Sequence, residues 1–186
     1  MRLTLIRHGK TKGNILRRYI GKTDEDILEN TVISKEYPDA DIVISSPLKR
    51  CVQTARLIYP KKGIVLCRDF SETDFGDFEN KSYEDLKNNE QYLKWLASDG
   101  TMPFPNGESH EHFVNRCIKA HEKIISEYKG KNLAYIVHGG TIMAVMQHIF
   151  GGEFYDYQVD NLSGYVVIYN KGKHMTTKNA LDYYRL

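Results

Sequence analysis

Residues 133–142, LAYIVHGGTI, decide how this chain folds. Five residues from Leu133 to Val137 run without a charged or strongly polar break, which suits a strand covered on both faces. The run stops at His138. Gly139 and Gly140 follow, and then Ile142, Val145, Met146 and Ile149 recur at helical spacing until Gly151. A buried strand feeding a helix is half of a βαβ unit. Residues 3–9, LTLIRHG, repeat the first part of the pattern: a short apolar strand ends at Arg7, and His8 and Gly9 stand where it stops.

Working outward, residues 41–45, 64–67 and 165–170 read as further strands. A helix is expected from Ser46 as N-cap with Pro47 at its first position, carrying Leu48, Cys51, Ala55 and Ile58 on one face. Another is expected from Ser82, with Asp85 as its capping-box partner, ending at Gly100. A third starts near Ser109, presents Phe113, Cys117, Ile124 and Tyr128, and stops at Gly130. Strands alternating with helices predict a three-layer α/β fold. No repeat or composition shift marks a linker, so residues 1–186 read as a single domain.

Composition narrows the function classes. The 186 residues are 41% hydrophobic and 27% charged, with a net charge of +2. A charge this small and evenly spread gives no reason to expect nucleic acid or a membrane surface as partner. No apolar run approaches membrane-spanning length, and the first residues carry too short a run for a signal peptide. Cys51, Cys67 and Cys117 lack paired spacing, which suits reduced thiols in a cytoplasm, with Cys51 and Cys117 on core-facing helix positions.

In open α/β sheets, ligands collect beyond the carboxyl ends of the strands. Arg7, His8 and His138 stand at such ends, and Arg50 lies in the first turn of the helix after the second strand. Two histidines each followed by glycine let backbone N–H groups approach a ligand, and the helix after Gly140 aims its N-terminus at the same place. Arginine supplies planar bidentate donors for phosphate oxygens. Together these predict an anion pocket for a phosphoryl group. None of the histidines shows a zinc-ligand spacing, and the cluster in ESHEH (108–112) reads as a solvated helix start, so no metal and no cofactor are expected.

With these residues placed, LIRHGKT (5–11) followed by Asn14 resembles the RHG signature of the histidine phosphatase superfamily. SSPLKRCVQTA (45–55) is similar to that family's second-arginine segment, ETDFGDFENKSYEDL (72–86) to its acid-bearing loop, and IVHGGTI (136–142) to its second histidine. The resemblance covers nearly the whole chain. It implies a mixed, mostly parallel sheet with helices on both faces, and a metal-independent phosphomonoester hydrolase working through a phosphohistidine. It makes His8 the nucleophile, with its second ring nitrogen fixed by a nearby carbonyl. Arg7, Arg50 and His138 bind the phosphoryl oxygens, and Gly139 adds a backbone donor. Asn14 is either an amide donor to the phosphate or a helix cap. RDFSETDFGDFE (68–79) holds five acids, and the family frame, three residues before Phe75-Gly76, selects Glu72 as proton donor over Asp69, Asp74, Asp77 and Glu79.

RRYIGKTDEDIL (17–28), WLASDG (95–100) and PFPNGESHEHFVNR (103–116) are similar to segments of α-ribazole phosphatases of cobalamin assembly. The small-molecule ester expected is therefore α-ribazole 5′-phosphate, against a broad-specificity phosphatase or, further off, a phosphoglycerate mutase, whose site-closing insertions make a longer chain. A non-catalytic phosphate-binding module would lack His8 or the acid, and both are present. Tyr19, Trp95 and Phe104 either meet the leaving group or pack. The chain departs from the family at Lys10, where Glu or Gln is usual, at Asn80, where Gly is usual, and in a short 24–41 connection that should leave one side of the sheet less covered.

Overall fold

The structure, a computed structural model, describes residues 1–98, 100–169 and 180–186. Its core is one six-stranded sheet of order β3-β2-β4-β1-β5-β6. The strands are β1 (Arg2–Arg7), β2 (Ile42–Ser45), β3 (Ile64–Leu66), β4 (Leu133–Val137), β5 (Gly164–Tyr169) and β6 (Ala180–Arg185). The pairs β1–β4, β2–β4 and β2–β3 are parallel, while β1–β5 and β5–β6 are antiparallel. The sheet is thus mixed and mostly parallel, as expected. Of the last expected strand, residue 170 lies outside the described residues.

Alternation along the strands builds the layers. Leu3, Leu5, Leu133, Tyr135 and Val137 pack on one face against α5 (His110–Glu127) and α6 (Gly139–Phe150). Ile6, Val43, Ala134 and Ile136 point the other way, against Cys51 and Ala55 of α2 (Lys49–Ile58). Burying each aliphatic side chain of this kind stabilises by roughly 1.5–3 kcal/mol. Connection 24–41 forms no helix, so beside α2 this face is closed by Tyr37, Ala40 and Tyr59. Two of these are pinned through their hydroxyls, Tyr37 to the Leu162 carbonyl (2.7 Å) and Tyr59 to that of Pro38 (3.0 Å).

Three expectations need correction. Ser46 does not cap α2: the helix starts at Lys49 with Leu48 as N-cap, whose carbonyl takes the Cys51 and Val52 N–H groups. Ser46 instead continues the β2 hydrogen-bond ladder, through its N–H to the Ile136 carbonyl. The helix expected from Ser82 to Gly100 is two helices, α3 (Tyr83–Leu86) and α4 (Glu90–Ala97). Ser82 and Asp85 form the capping box, but Asn89 restarts the chain by accepting the Tyr92 N–H at 2.9 Å. Strand 64–67 is a three-residue edge, with Val65 and Leu66 42% and 57% exposed and not buried on both faces. The short α1 (Lys12–Ile15) and strand β6 lay outside the sequence expectations.

Asn80 shows why its position accepts so few residues. Its φ is +59°, in the left-handed region where glycine is at ease and asparagine is the commonest substitute. Its amide also accepts from Arg18.

Candidate active site

Register assembles the site. In the β1–β4 ladder Arg7 faces Val137, so the next residues, His8 and His138, emerge side by side. Their ring centroids lie 5.2 Å apart at an angle of 64°. Ser45 faces Ile136 in the β2–β4 ladder, which puts Ser46 opposite Val137, one residue short of His138 and within reach of its ring.

Hydrogen bonds set the tautomers. His8 Nδ1 lies 2.7 Å from the Gly9 carbonyl, which can only accept, so Nδ1 carries the proton and Nε2 keeps a lone pair. Asn161 holds the His8 carbonyl at 2.9 Å. Arg50 Nε approaches His138 Nδ1 at 3.4 Å, and His138 Nε2 meets Ser46 Oγ at 2.8 Å, so Nε2 donates to the hydroxyl. Burial, with Arg50 and Arg7 adding to it, lowers the His8 pKa to about 3 and drives that of His138 well below the usual value. Both rings are neutral at ordinary pH.

The expected phosphate ligands are brought together unequally. Arg7 lines a cavity of about 290 Å³ together with Glu72, Gly139 and Gly140. Arg7 Nη1 holds the Val159 carbonyl at 2.7 Å, while its buried Nε has no partner among the described residues. Gly139 and Gly140 open α6, so their N–H groups belong to a first helical turn that lacks backbone acceptors. Arg50 is fully buried and mostly committed: Nη2 reaches the Ile20 and Gly21 carbonyls and Nη1 that of Thr23. It clamps loop 20–23 and has one Nη1 hydrogen left unused among the described residues, although it lines neither that cavity nor the cleft beyond it. Asn14 is the N3 residue of the α1 capping box, its Oδ1 accepting from Thr11 and Asn161, which leaves its NH₂ as the group able to donate. Lys10 is exposed, where a unit charge is worth at most about 1 kcal/mol to a ligand and is screened by salt.

Glu72 closes the other side of the cavity. Burial raises its carboxyl pKa, against the pull of the Thr73 N–H and of Arg50, Arg7 and Arg116. Oε1 takes the Thr73 N–H at 3.0 Å. A Cβ placed on Gly140 would come within 2.7 Å of that same oxygen, so glycine at 140 is what lets the acid lie against the start of α6. Three of the other acids are spent on structure: Glu79 Oε1 accepts the Gly21 and Thr23 N–H groups, Asp74 accepts from Lys22 and the Gly76 N–H, and Asp77 accepts from the Asn106 amide.

Beyond Glu72 the cavity is aromatic. Tyr19, Trp95 and Phe104 form its wall, and they also pack with Phe78 and Tyr92 in one cluster. It opens into a cleft of about 570 Å³ through Trp95, Gly100, His110, Phe154 and Tyr155, which line both. Among the described residues lining that outer cleft none is a lysine or arginine.

The family model of the histidine phosphatase superfamily (branch 1) matches residues 3–180. The chain belongs to this superfamily. An uncharacterized phosphatase of Bacillus subtilis is 31% identical over 159 residues, spanning 80% of this chain and 77% of its own. The solved α-ribazole phosphatase of Shigella flexneri superposes with a TM-score of 0.79 at 26% identity, over 92% of each chain. A phosphoserine phosphatase mutant of Entamoeba histolytica, solved with phosphoserine, gives a TM-score of 0.78, also at 26% identity and over 92% of each chain. These relatives make the chain an enzyme of phosphatase or mutase chemistry.

Within this histidine phosphatase, several residues at or around the site carried no legible role. Ser46 read as a helix cap, although it follows β2 just as His8 and His138 follow β1 and β4. His110, Phe154, Tyr155 and Gln158 come from a helix start and a late 3-10 segment, and nothing in their spacing marks a pocket wall.

Keeping imidazoles neutral has a stability consequence. His8, His138 and the buried His121, whose pKa burial lowers to about 3, stay unprotonated in the folded state. Unfolded, each takes a proton near its ordinary value, so between pH 6.5 and about 3 the unfolded chain binds more protons and stability falls as pH falls. Glu72, raised in the fold, opposes with at most one proton. Each net proton tilts stability by about 1.4 kcal/mol per pH unit. The urea midpoint is expected to drop between pH 7 and pH 5. A flat midpoint across that range would mean the rings are already charged in the native state.

Proposed function

We propose that this chain hydrolyses phosphomonoesters through a phosphohistidine on His8, without a metal, and that its substrate is α-ribazole 5′-phosphate or a late cobalamin intermediate bearing that group. The observation that carries the reading is the aromatic cleft next to Arg7 and Glu72, with no second cation among its described outer residues. A phosphoglycerate or phosphoserine carboxylate would meet no lysine or arginine among those outer residues, whereas a planar uncharged base can lie on Trp95 or Tyr155.

His8 Nε2 attacks phosphorus in line with the ester oxygen. As the P–O bond breaks, Glu72 gives its proton to the departing alkoxide. Arg7, the remaining Arg50 donor, the Asn14 amide and the Gly139 N–H hold the phosphoryl oxygens and supply the positive field a metal would otherwise provide. His138 turns one N–H from Ser46 to the phosphate. Water, deprotonated by the Glu72 carboxylate, then breaks the P–N bond and frees phosphate and His8. The cleft is open to water, which favours hydrolysis over a mutase that must retain its phosphoryl group. Three free cysteines, two of them buried, are in keeping with a reducing cytoplasm.

A broad-specificity phosphatase is the second reading, favoured by the equal likeness to the phosphoserine phosphatase. Initial rates of phosphate release, with and without 2,3-bisphosphoglycerate, decide between them. α-Ribazole 5′-phosphate is expected to exceed 3-phosphoglycerate and phosphoserine in kcat/KM by about 10-fold, the scale of one aromatic contact that the smaller esters cannot make. Better kcat/KM for simple sugar phosphates or phosphoglycerate would overturn the assignment, and product isomerisation dependent on the bisphosphate would mean a mutase.

A further inference from the structure

Arg116 lies two helical turns into α5, its guanidinium 4.9 Å from the Phe113 ring. Nε and Nη2 grip Glu108 through both carboxylate oxygens at 2.7 and 2.8 Å. The remaining donors go to the acid loop, where Nη1 reaches the Asp69 and Ser71 carbonyls at 2.6 and 2.7 Å, and Nη2 the Glu72 carbonyl at 3.1 Å. The pair is largely withdrawn from water, Arg116 and Glu108 being 17% and 10% exposed. Glu108 is anchored in turn, its N–H on the Asp74 carbonyl and its carboxylate also accepting from His112.

This bracket fixes the peptide planes on both sides of Glu72 and the one that follows Asp69. The Glu72 carboxyl folds back onto the Thr73 N–H, so its position follows from that backbone. The Phe113 ring under Arg116 is the second neighbour, after Glu72 itself, that fills the space a Gly140 side chain would need. Arg116, Phe113, Gly140 and Glu72 thus form one packed column from α5 to the start of α6.

We propose that Arg116, gripped by Glu108, is the positioning residue of the proton donor: it holds loop 69–72 so that the Glu72 carboxyl faces the cavity over Gly140. Neither side chain touches the reacting atoms. The inference rests on the reading of Glu72 as the acid, and its signature is a loss that depends on how much the leaving oxygen needs a proton.

Removing Arg116 alone would strand a buried carboxylate, so the variant of choice is the double E108Q/R116A, which removes both charges. On an alkyl phosphate its kcat is expected to fall by about 100-fold, within the range of general acid catalysis, and on p-nitrophenyl phosphate by about 3-fold at most. Adding Glu72→Gln to this variant is expected to lower the alkyl ester rate little further. Equal losses on both esters, in protein shown by its melting curve to be folded at the assay temperature, would overturn the inference. Should the double variant not fold, Glu108→Gln, which keeps the carbonyl bonds of Arg116, is expected to show the same selectivity at smaller size, and an unselective loss there is equally fatal. The Glu72→Gln single variant separates the two ideas. If it fails to discriminate between the esters, the proton-donor reading falls and takes this inference with it; if it discriminates and E108Q/R116A does not, the positioning role alone is wrong.

Discussion

His8→Ala is expected to abolish the phosphoenzyme and to lower kcat by roughly 10⁴-fold or more, the scale seen when a nucleophile that works as part of a unit is removed. The expectation rests on the tautomer. Nδ1 keeps its proton and donates a hydrogen bond to the Gly9 carbonyl, so the free lone pair is on Nε2, and with a pKa lowered to about 3 the ring needs no base to be nucleophilic at ordinary pH. Quenching with labelled substrate without acid should trap an acid-labile, base-stable phosphoprotein in the parent chain and none in the variant. Label retained at parental level after His8→Ala would place the nucleophile elsewhere. Truncation leaves the neighbouring cation cluster intact, so the variant is also expected to bind phosphate.

The parts of this site written in local sequence were legible, and those made by long-range pairing were not. His8 and His138 each end an apolar run and precede a glycine, and only the β1–β4 register was needed to bring them together. Helices α5 and α6 carried clear periodicity and clear stops. Arg50 was found as a basic residue near a strand end, but its commitment to carbonyls 20–23 depends on a loop with no regular structure. The α3–α4 break was obscured because Ser82 is a true cap followed by an apolar pattern that the Asn89 cap then restarts. Strand β6, reading Asp182-Tyr183-Tyr184-Arg185 at its end, is an antiparallel edge, and its exposed tyrosines give no clean alternation. Pro-Asn-Gly-Glu-Ser and Arg116 stood out as a motif, yet its work on the acid loop is carried by backbone carbonyls that no sequence pattern displays.

Glu72→Gln is expected to slow an alkyl phosphate by about 10²–10⁴-fold, the usual weight of general acid catalysis, while p-nitrophenyl phosphate loses far less. The substitution keeps shape and the acceptor for the Thr73 N–H, so its effect reports on the proton and not on packing. An alkoxide is a poor leaving group and must be protonated as the P–O bond breaks, whereas nitrophenolate departs almost unaided. The pH profile gives an independent reading. Burial raises the Glu72 pKa despite three nearby guanidinium groups, so the acid form persists above the ordinary carboxyl range, and phosphorylation by the alkyl ester should decline as pH rises through that raised value. Glutamine cannot titrate, so this decline should vanish in the variant and leave a flat, low rate. Hydrolysis of the phosphohistidine, for which the carboxylate is the proposed base, should slow as well, and a burst on p-nitrophenyl phosphate would expose that second step. If both esters lose rate equally and the pH limb survives, the proton comes from another group, and Glu72 serves only to hold the loop against α6.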